Sequence, residues 1–193
     1  MAIAEKLTSA DLEFLPQDGK RYELIEGELY VSRQPHFEHQ YTCSQLDYFL
    51  VDWEKWSGLG VTIIAPGLIF ADDDDVAPDL VWISHERFAN VLDEAGHLHV
   101  APELVVEVLS PGLANERRDR ETKLKLYSRR GVQEYWVVDW MRQLVEVHHR
   151  EQGALKLAAA LYAQDTLGSP LLPGFSCQIA ALFFKRSSLP GQR

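Results

Sequence analysis

The sequence predicts an α/β (α+β) fold, a mixed β-sheet flanked by helices and entered through an N-terminal β-hairpin. Three observations carry that expectation. Residues 21–31 read as two strands joined at Glu26-Gly27, a hairpin signal. Residues 38–56 place Tyr41, Leu46, Phe49, Leu50 and Trp53 at helical spacing. Residues 103–139 read strand, helix, strand, and their strongly apolar strands suit a sheet covered on both faces.

Taken in order, Thr8 or Ser9 caps a short first helix, whose Asp11 and Glu13 complement the helix dipole. The hairpin and the long helix follow. After Gly58 and Gly60 the pattern turns strand-like at 61–64, 68–70 and 79–83. Residues 97–100 read as a short strand and 103–109 as a central one, stopped by Ser110-Pro111-Gly112. The stretch from Asp119 to Tyr127 has helix-forming composition, with no Gly or Pro before Gly131. Strands at 135–139, 144–149 and 155–157 come next, and residues 165–184 add a strand or hairpin and a short helix from 179 to 184.

A chain of 193 residues without a linker or internal repeat suits one domain over 1–193, with loose ends at the first few residues and at Ser187 to Arg193. No apolar stretch approaches the roughly 18 residues a bilayer span requires, and the first residues lack a signal-peptide pattern. The expectation is a cytoplasmic protein with no membrane partner. Cys43 and Cys177 are too few for a disulfide framework and read as buried free thiols. The formal charge of −10 argues against a broad nucleic-acid surface. Against that, Arg117, Arg118, Arg120, Lys123, Lys125, Arg129 and Arg130 crowd into fourteen positions, a candidate local positive patch.

Two carboxylates sit where a core wants none. Asp79 opens the apolar run 78–83, and Glu107 interrupts the run 103–109. A buried carboxylate without a partner costs several kcal/mol, so it is normally neutralised, paired with a cation or bound to a metal. Lys123 is the candidate cation. Asp119, Lys123 and Tyr127 fall at i, i+4 and i+8, on one helix face that drifts by about 40° per step. If the strands carrying Asp79 and Glu107 are neighbours, the two carboxylates can jointly hold Mg²⁺, or Mn²⁺ in its place. Mg²⁺ takes few protein carboxylates and completes its shell with water and phosphate oxygens. That suits phosphodiester hydrolysis, in which the metal activates water and offsets charge on the phosphoryl oxygens. Lys123 would position the water or stabilise the developing charge.

The string Pro102-Glu103-Leu104-Val105-Val106-Glu107-Val108-Leu109-Ser110-Pro111 carries a resemblance. So do Arg118-Asp119, Lys123, Tyr127, Gly131-Val132 and Glu134-Tyr135-Trp136-Val137-Val138-Asp139 after it. Together with residues 22–29, His39 and Pro78-Asp79, these resemble the Uma-type family of putative restriction endonucleases over about residues 20–185. That family is similar to the PD-(D/E)XK nuclease superfamily, which implies a restriction-endonuclease-like core with a Mg²⁺ site at one end of a mixed sheet. The resemblance makes Asp79 the aspartate of the PD element and Glu107 the acidic residue of the second half-motif. Leu109 stands where that motif has its lysine, and the resemblance implies that Lys123 on the following helix takes its place. It also implies an auxiliary acid from the N-terminal hairpin, Glu28 by preference or Glu23, and a substrate contact from His39.

Other features have plainer readings. Asp119 and Tyr127 are supporting or packing residues. Residues 72–75 lack the alternating ligands and Gly of a calcium loop and read as a solvated acidic turn. His97, His99, His148 and His149 read as exposed strand residues. Leu182-Phe183-Phe184 is a candidate surface for a homodimer. The leading function is a Mg²⁺-dependent endonuclease whose partner is nucleic acid, DNA before RNA. The alternative is a catalytically inactive nuclease-fold module that binds nucleic acid or protein, and a third reading is a hydrolase of small phosphorylated substrates.

Overall fold

The computed structural model describes residues 6–88 and 91–185; the first few residues and Ser187 to Arg193, expected as loose ends, lie outside them. A short helix α1 (Ser9–Leu12) is capped by Thr8, whose backbone N–H and hydroxyl both donate to the Asp11 carboxylate. The hairpin β1 (Arg21–Ile25) and β2 (Glu28–Ser32) follows, turning at Glu26-Gly27, both with positive φ. Helix α2 (Phe37–Ser57) ends at Gly58, whose left-handed φ of 62° lets its N–H close on the Glu54 carbonyl. Then come β3 (Gly60–Ile64), β4 (Leu68–Ala71), β5 (Asp74–Val76), β6 (Leu80–Ser84) and a single helical turn α3 (His85–Phe88). Strand β7 (Leu104–Val108) leads through α4 (Leu113–Arg117), a π-helical segment (Arg118–Lys123) and α5 (Leu124–Arg130) to β8 (Glu134–Asp139). The chain closes with β9 (Leu144–Glu151), β10 (Ala154–Tyr162), β11 (Thr166–Ser169), β12 (Leu172–Gln178) and a 3₁₀ turn (Ile179–Ala181).

The central sheet is mixed, as expected, in the order β10-β9-β8-β7-β6-β3. Its parallel pair is β7 with β8, joined by the helical crossover, while the other pairs are antiparallel. Alternation along β7 divides the core. Leu104, Val106 and Val108 pack with Leu46, Leu50 and Trp53 of α2, and the β11-β12 hairpin covers the same layer with Leu167, Leu172 and Phe175. Val105 packs on the other face with Leu126 and Tyr127 of α5. Glu107 belongs to that second face and breaks its apolar run.

A second, antiparallel sheet in the order β2-β1-β5-β4 is held to α5 through Asp74. Its carboxylate accepts from Arg129 at 2.8 Å, from Arg130 at 3.0 Å and from the Glu26 backbone N–H at 2.8 Å. The acidic stretch is a solvated turn at Asp72 and Asp73, as expected, but Asp74 is a buried tie. Burial pushes its carboxyl up, but Arg129, the Glu26 N–H and Arg130 together hold it below the usual range. Asp74→Asn is expected to cost about 2 kcal/mol in urea unfolding near neutral pH, a figure discounted because both arginines are partly solvated. A carboxyl held low in the folded state stabilises at pH values above the unfolded range near about 4, so the difference from wild type should shrink below it.

Several elements differ from expectation. Residues 97–100 form no strand, since Leu98 makes only isolated bridges to Leu68 and Leu92. The basic helix is not a continuous α-helix, because the wider π-helical turn intervenes; Asp119, Lys123 and Tyr127 nevertheless all remain buried. Leu182 and Phe183 lie in the main core and cannot face a partner, which leaves only Phe184 of that segment at the surface. His148 is buried beside Tyr135 rather than exposed, while the His97 and His99 side chains are exposed as expected, outside any strand, and pair with Asp93.

Candidate active site

Strands β6 and β7 pair with Leu80 opposite Val106 and Val81 opposite Val105. One further step along that register brings Asp79 and Glu107 to the same end of the sheet, where both line one cleft. Where the ladder stops, the Asp79 side chain takes over its pairing: Oδ2 accepts the Val108 N–H at 2.9 Å. Asp79 Oδ1 accepts from the Arg21 guanidinium at 3.2 Å, and His39 Nε2 lies 3.3 Å from Oδ2. Burial pushes the Asp79 carboxyl up, but His39, Arg21 and the Val108 N–H overcome it and bring it down to about 2.

Glu107 is held differently. Its Oε1 accepts from Lys123 Nζ at 2.8 Å and from the Tyr127 hydroxyl at 2.7 Å. Lys123 is fully buried and gives a second bond, 2.8 Å, to Glu23 Oε1. Glu23 also accepts the Ala77 N–H at 3.0 Å, which joins the hairpin to the residues just before Asp79. Asp119 pairs with Arg118 at 2.9 Å, and Arg118 reaches Ser32 of β2 at 2.7 Å. The hairpin acid in this cluster is thus Glu23, not the preferred Glu28, which is exposed beside Tyr30. His39 joins through Asp79; Asp119 joins through Arg118, and its carbonyl accepts from the Tyr135 hydroxyl at 3.0 Å.

Four buried carboxylates, Glu23, Asp79, Glu107 and Asp119, face three permanent cations, Arg21, Arg118 and Lys123. Glu107 and Asp119 are both pushed up, Glu107 the more clearly. Burial pushes the Glu107 carboxyl up, the charges of Asp79, Asp119 and Glu23 add to this, and Lys123 only partly opposes it, giving about 7. Burial would lower Lys123, but Glu107, Glu23 and Asp119 outweigh it and raise the ammonium above its ordinary range. Asp79 and Glu107 line one cleft of about 190 Å³ with Arg21, Arg33, His39 and Arg118.

Arg21 and Arg118 were not legible as site residues. A buried aspartate calls for a cation, but the sequence does not say which of 19 basic residues supplies it. The expected positive patch is largely absent. Six of the seven clustered basic residues are in ion pairs: Arg117 with Glu121, Arg118 with Asp119, Arg120 with Asp139 and Glu146, Lys123 with Glu23 and Glu107, and Arg129 and Arg130 with Asp74.

Comparison with known proteins bears on this geometry. The profile of the Uma2 family, described as "Putative restriction endonuclease", matches residues 9–180. No curated protein matches the chain. A putative nuclease belonging to DUF820 from Anabaena variabilis superposes with a TM-score of 0.72 at 19% identity, covering 92% of this chain and 97% of that one. The type IIG restriction endonuclease BpuSI gives a TM-score of 0.40 at 12% identity over 75% of this chain and 14% of its own, too slight a likeness to argue from. The first of these is a likeness of fold.

Proposed function

Because the chain belongs to the Uma2 family of putative restriction endonucleases, we propose that it hydrolyses phosphodiester bonds of DNA as a Mg²⁺-dependent endonuclease, with Mn²⁺ able to substitute. The observation that carries this reading is the convergence of Asp79 and Glu107 at neighbouring strand ends, in a cluster with more carboxylates than cations. Those donors fit a hard cation: both are carboxylates, and one Glu107 oxygen is left over by Lys123 and Tyr127. When bound, the ion supplies Lewis-acid stabilisation of phosphoryl charge and makes a water more acidic.

The chain's own residues do the rest. Lys123 stays an ammonium, so it is no general base; fully buried behind the cleft wall, it holds Glu107 and Glu23 and acts on the reaction by fixing the Glu107 carboxylate. Tyr127 fixes the Glu107 carboxylate. Arg21 and Arg118 stand at the cleft wall, where guanidinium groups suit phosphate oxygens.

Glu107 must lose its proton to take a metal. With its carboxyl near 7, Mn²⁺ affinity measured calorimetrically should fall about tenfold per pH unit below that value and level off above it. An affinity flat from pH 5 to 8 would remove Glu107 from the ligand set. The inactive-module alternative draws on the internally paired basic stretch. Metal-dependent cleavage that Asp79→Ala abolishes would reject it. Cutting both strands would call for two copies, and a monomer by light scattering at micromolar concentration would count against that.

A further inference from the structure

We propose that His39, Cys43 and Asp79 form a second metal site, selective for Zn²⁺ and other thiophilic divalent ions. A ring nitrogen of His39, the Cys43 sulfur and a carboxylate oxygen of Asp79 all lie within 4.8 Å of one another, and all three residues are buried. His39 and Cys43 stand one turn apart on α2, so their side chains stack along one face. His39 Nδ1 is 3.6 Å from the sulfur, and Nε2 is 3.3 Å from Asp79 Oδ2. Zinc binds sulfur at about 2.3 Å and nitrogen or oxygen at about 2.0–2.2 Å, so one ring nitrogen of His39, the sulfur and a carboxylate oxygen would draw together around a single ion while the other ring nitrogen gives up its present contact.

The donor set decides which ion. A thiol, an imidazole and a single carboxylate form a borderline-soft set of three, with a fourth tetrahedral position for water. Mg²⁺ wants oxygens and sheds water reluctantly, so a site with sulfur on one side selects against it. The cleft lined by His39 and Asp79 gives the ion a route in and the fourth position a solvent side. As the sulfur–metal bond forms, the thiol proton leaves to solvent. Asp79 is common to this triad and to the pair it makes with Glu107. A thiophilic ion therefore withdraws it from that pair, a consequence that rests on the nuclease reading.

Titration of the full-length protein with Co²⁺ tests the site. One equivalent should produce a thiolate-to-cobalt charge-transfer band, lost in Cys43→Ser and in Asp79→Asn, retained in Cys177→Ser, and displaced by Zn²⁺ but not by equimolar Mg²⁺. No band in the wild type, or a band that survives Cys43→Ser or Asp79→Asn, overturns the proposal. Should a variant unfold, ¹¹³Cd resonance of the wild type decides: far downfield with thiolate ligation, near the all-oxygen position without it. The cobalt spectrum reads ligation alone, so failed DNA cleavage would leave it standing, and its absence would leave the nuclease reading intact.

Discussion

Lys123→Met is expected to lose about 3–5 kcal/mol of stability near neutral pH, the cost of breaking a buried ion pair from one side. Lys123 is fully buried, and its ammonium holds two buried carboxylates, Glu23 and Glu107, each at 2.8 Å. Methionine keeps most of the stem and its apolar contacts, so the loss reports charge rather than a cavity. Without the ammonium, both carboxyls rise and fold best protonated. The deficit should therefore shrink as pH falls toward 5, because a folded-state value raised above the unfolded one favours the folded state at low pH. Adding Glu23→Gln should recover part of the loss, since it removes one orphaned charge. Urea midpoints at pH 8 and pH 5 for the single and double variants check this. Equal losses at both pH values would mean that Lys123 acts through packing.

Glu107→Gln separates stability from activity. The amide oxygen can still accept from Lys123 and Tyr127, and Glu23 still balances the ammonium. Glu107 is raised to about 7 by burial and by neighbouring carboxylates, so above that pH the folded state carries a charge it resists. By the sign of the linkage, the wild-type residue favours the folded state below the unfolded carboxyl range near about 4 and loses that advantage as pH rises toward 7. Glutamine has no such slope. At pH 8 the variant should match or exceed wild type in stability, by up to about 2 kcal/mol. It should also lose metal-dependent cleavage by at least about 10³-fold, since Lewis-acid stabilisation is worth several kcal/mol. Stability that falls together with cleavage would make Glu107 a structural residue.

Much of this was legible, for physical reasons that differ by residue. Asp79 and Glu107 announced themselves because a charge within an apolar strand demands compensation, and the antiparallel register of β6 and β7 brings them to the same end of the sheet. Lys123 was legible from helical spacing, although the π-helical turn was not, since nothing in the composition of residues 118–123 marks it. The choice between Glu23 and Glu28 failed because both flank the same hairpin. Burial, not sequence, places Glu23 against Lys123 and leaves Glu28 exposed. The positive patch misled because a run of basic residues does not show its partners: Asp74, Asp139 and Glu146 lie far along the chain and neutralise it only in three dimensions.

The most direct measurement is incubation of the full-length protein with plasmid and single-stranded DNA in Mg²⁺, Mn²⁺ or EDTA, beside Asp79→Ala and Glu107→Ala. Cutting that requires the metal and disappears in both variants is the expected result. Cutting that persists in EDTA or in either variant, or a wild type that binds neither ion and cuts neither DNA, would contradict the assignment of these two carboxylates to a metal-dependent nuclease site.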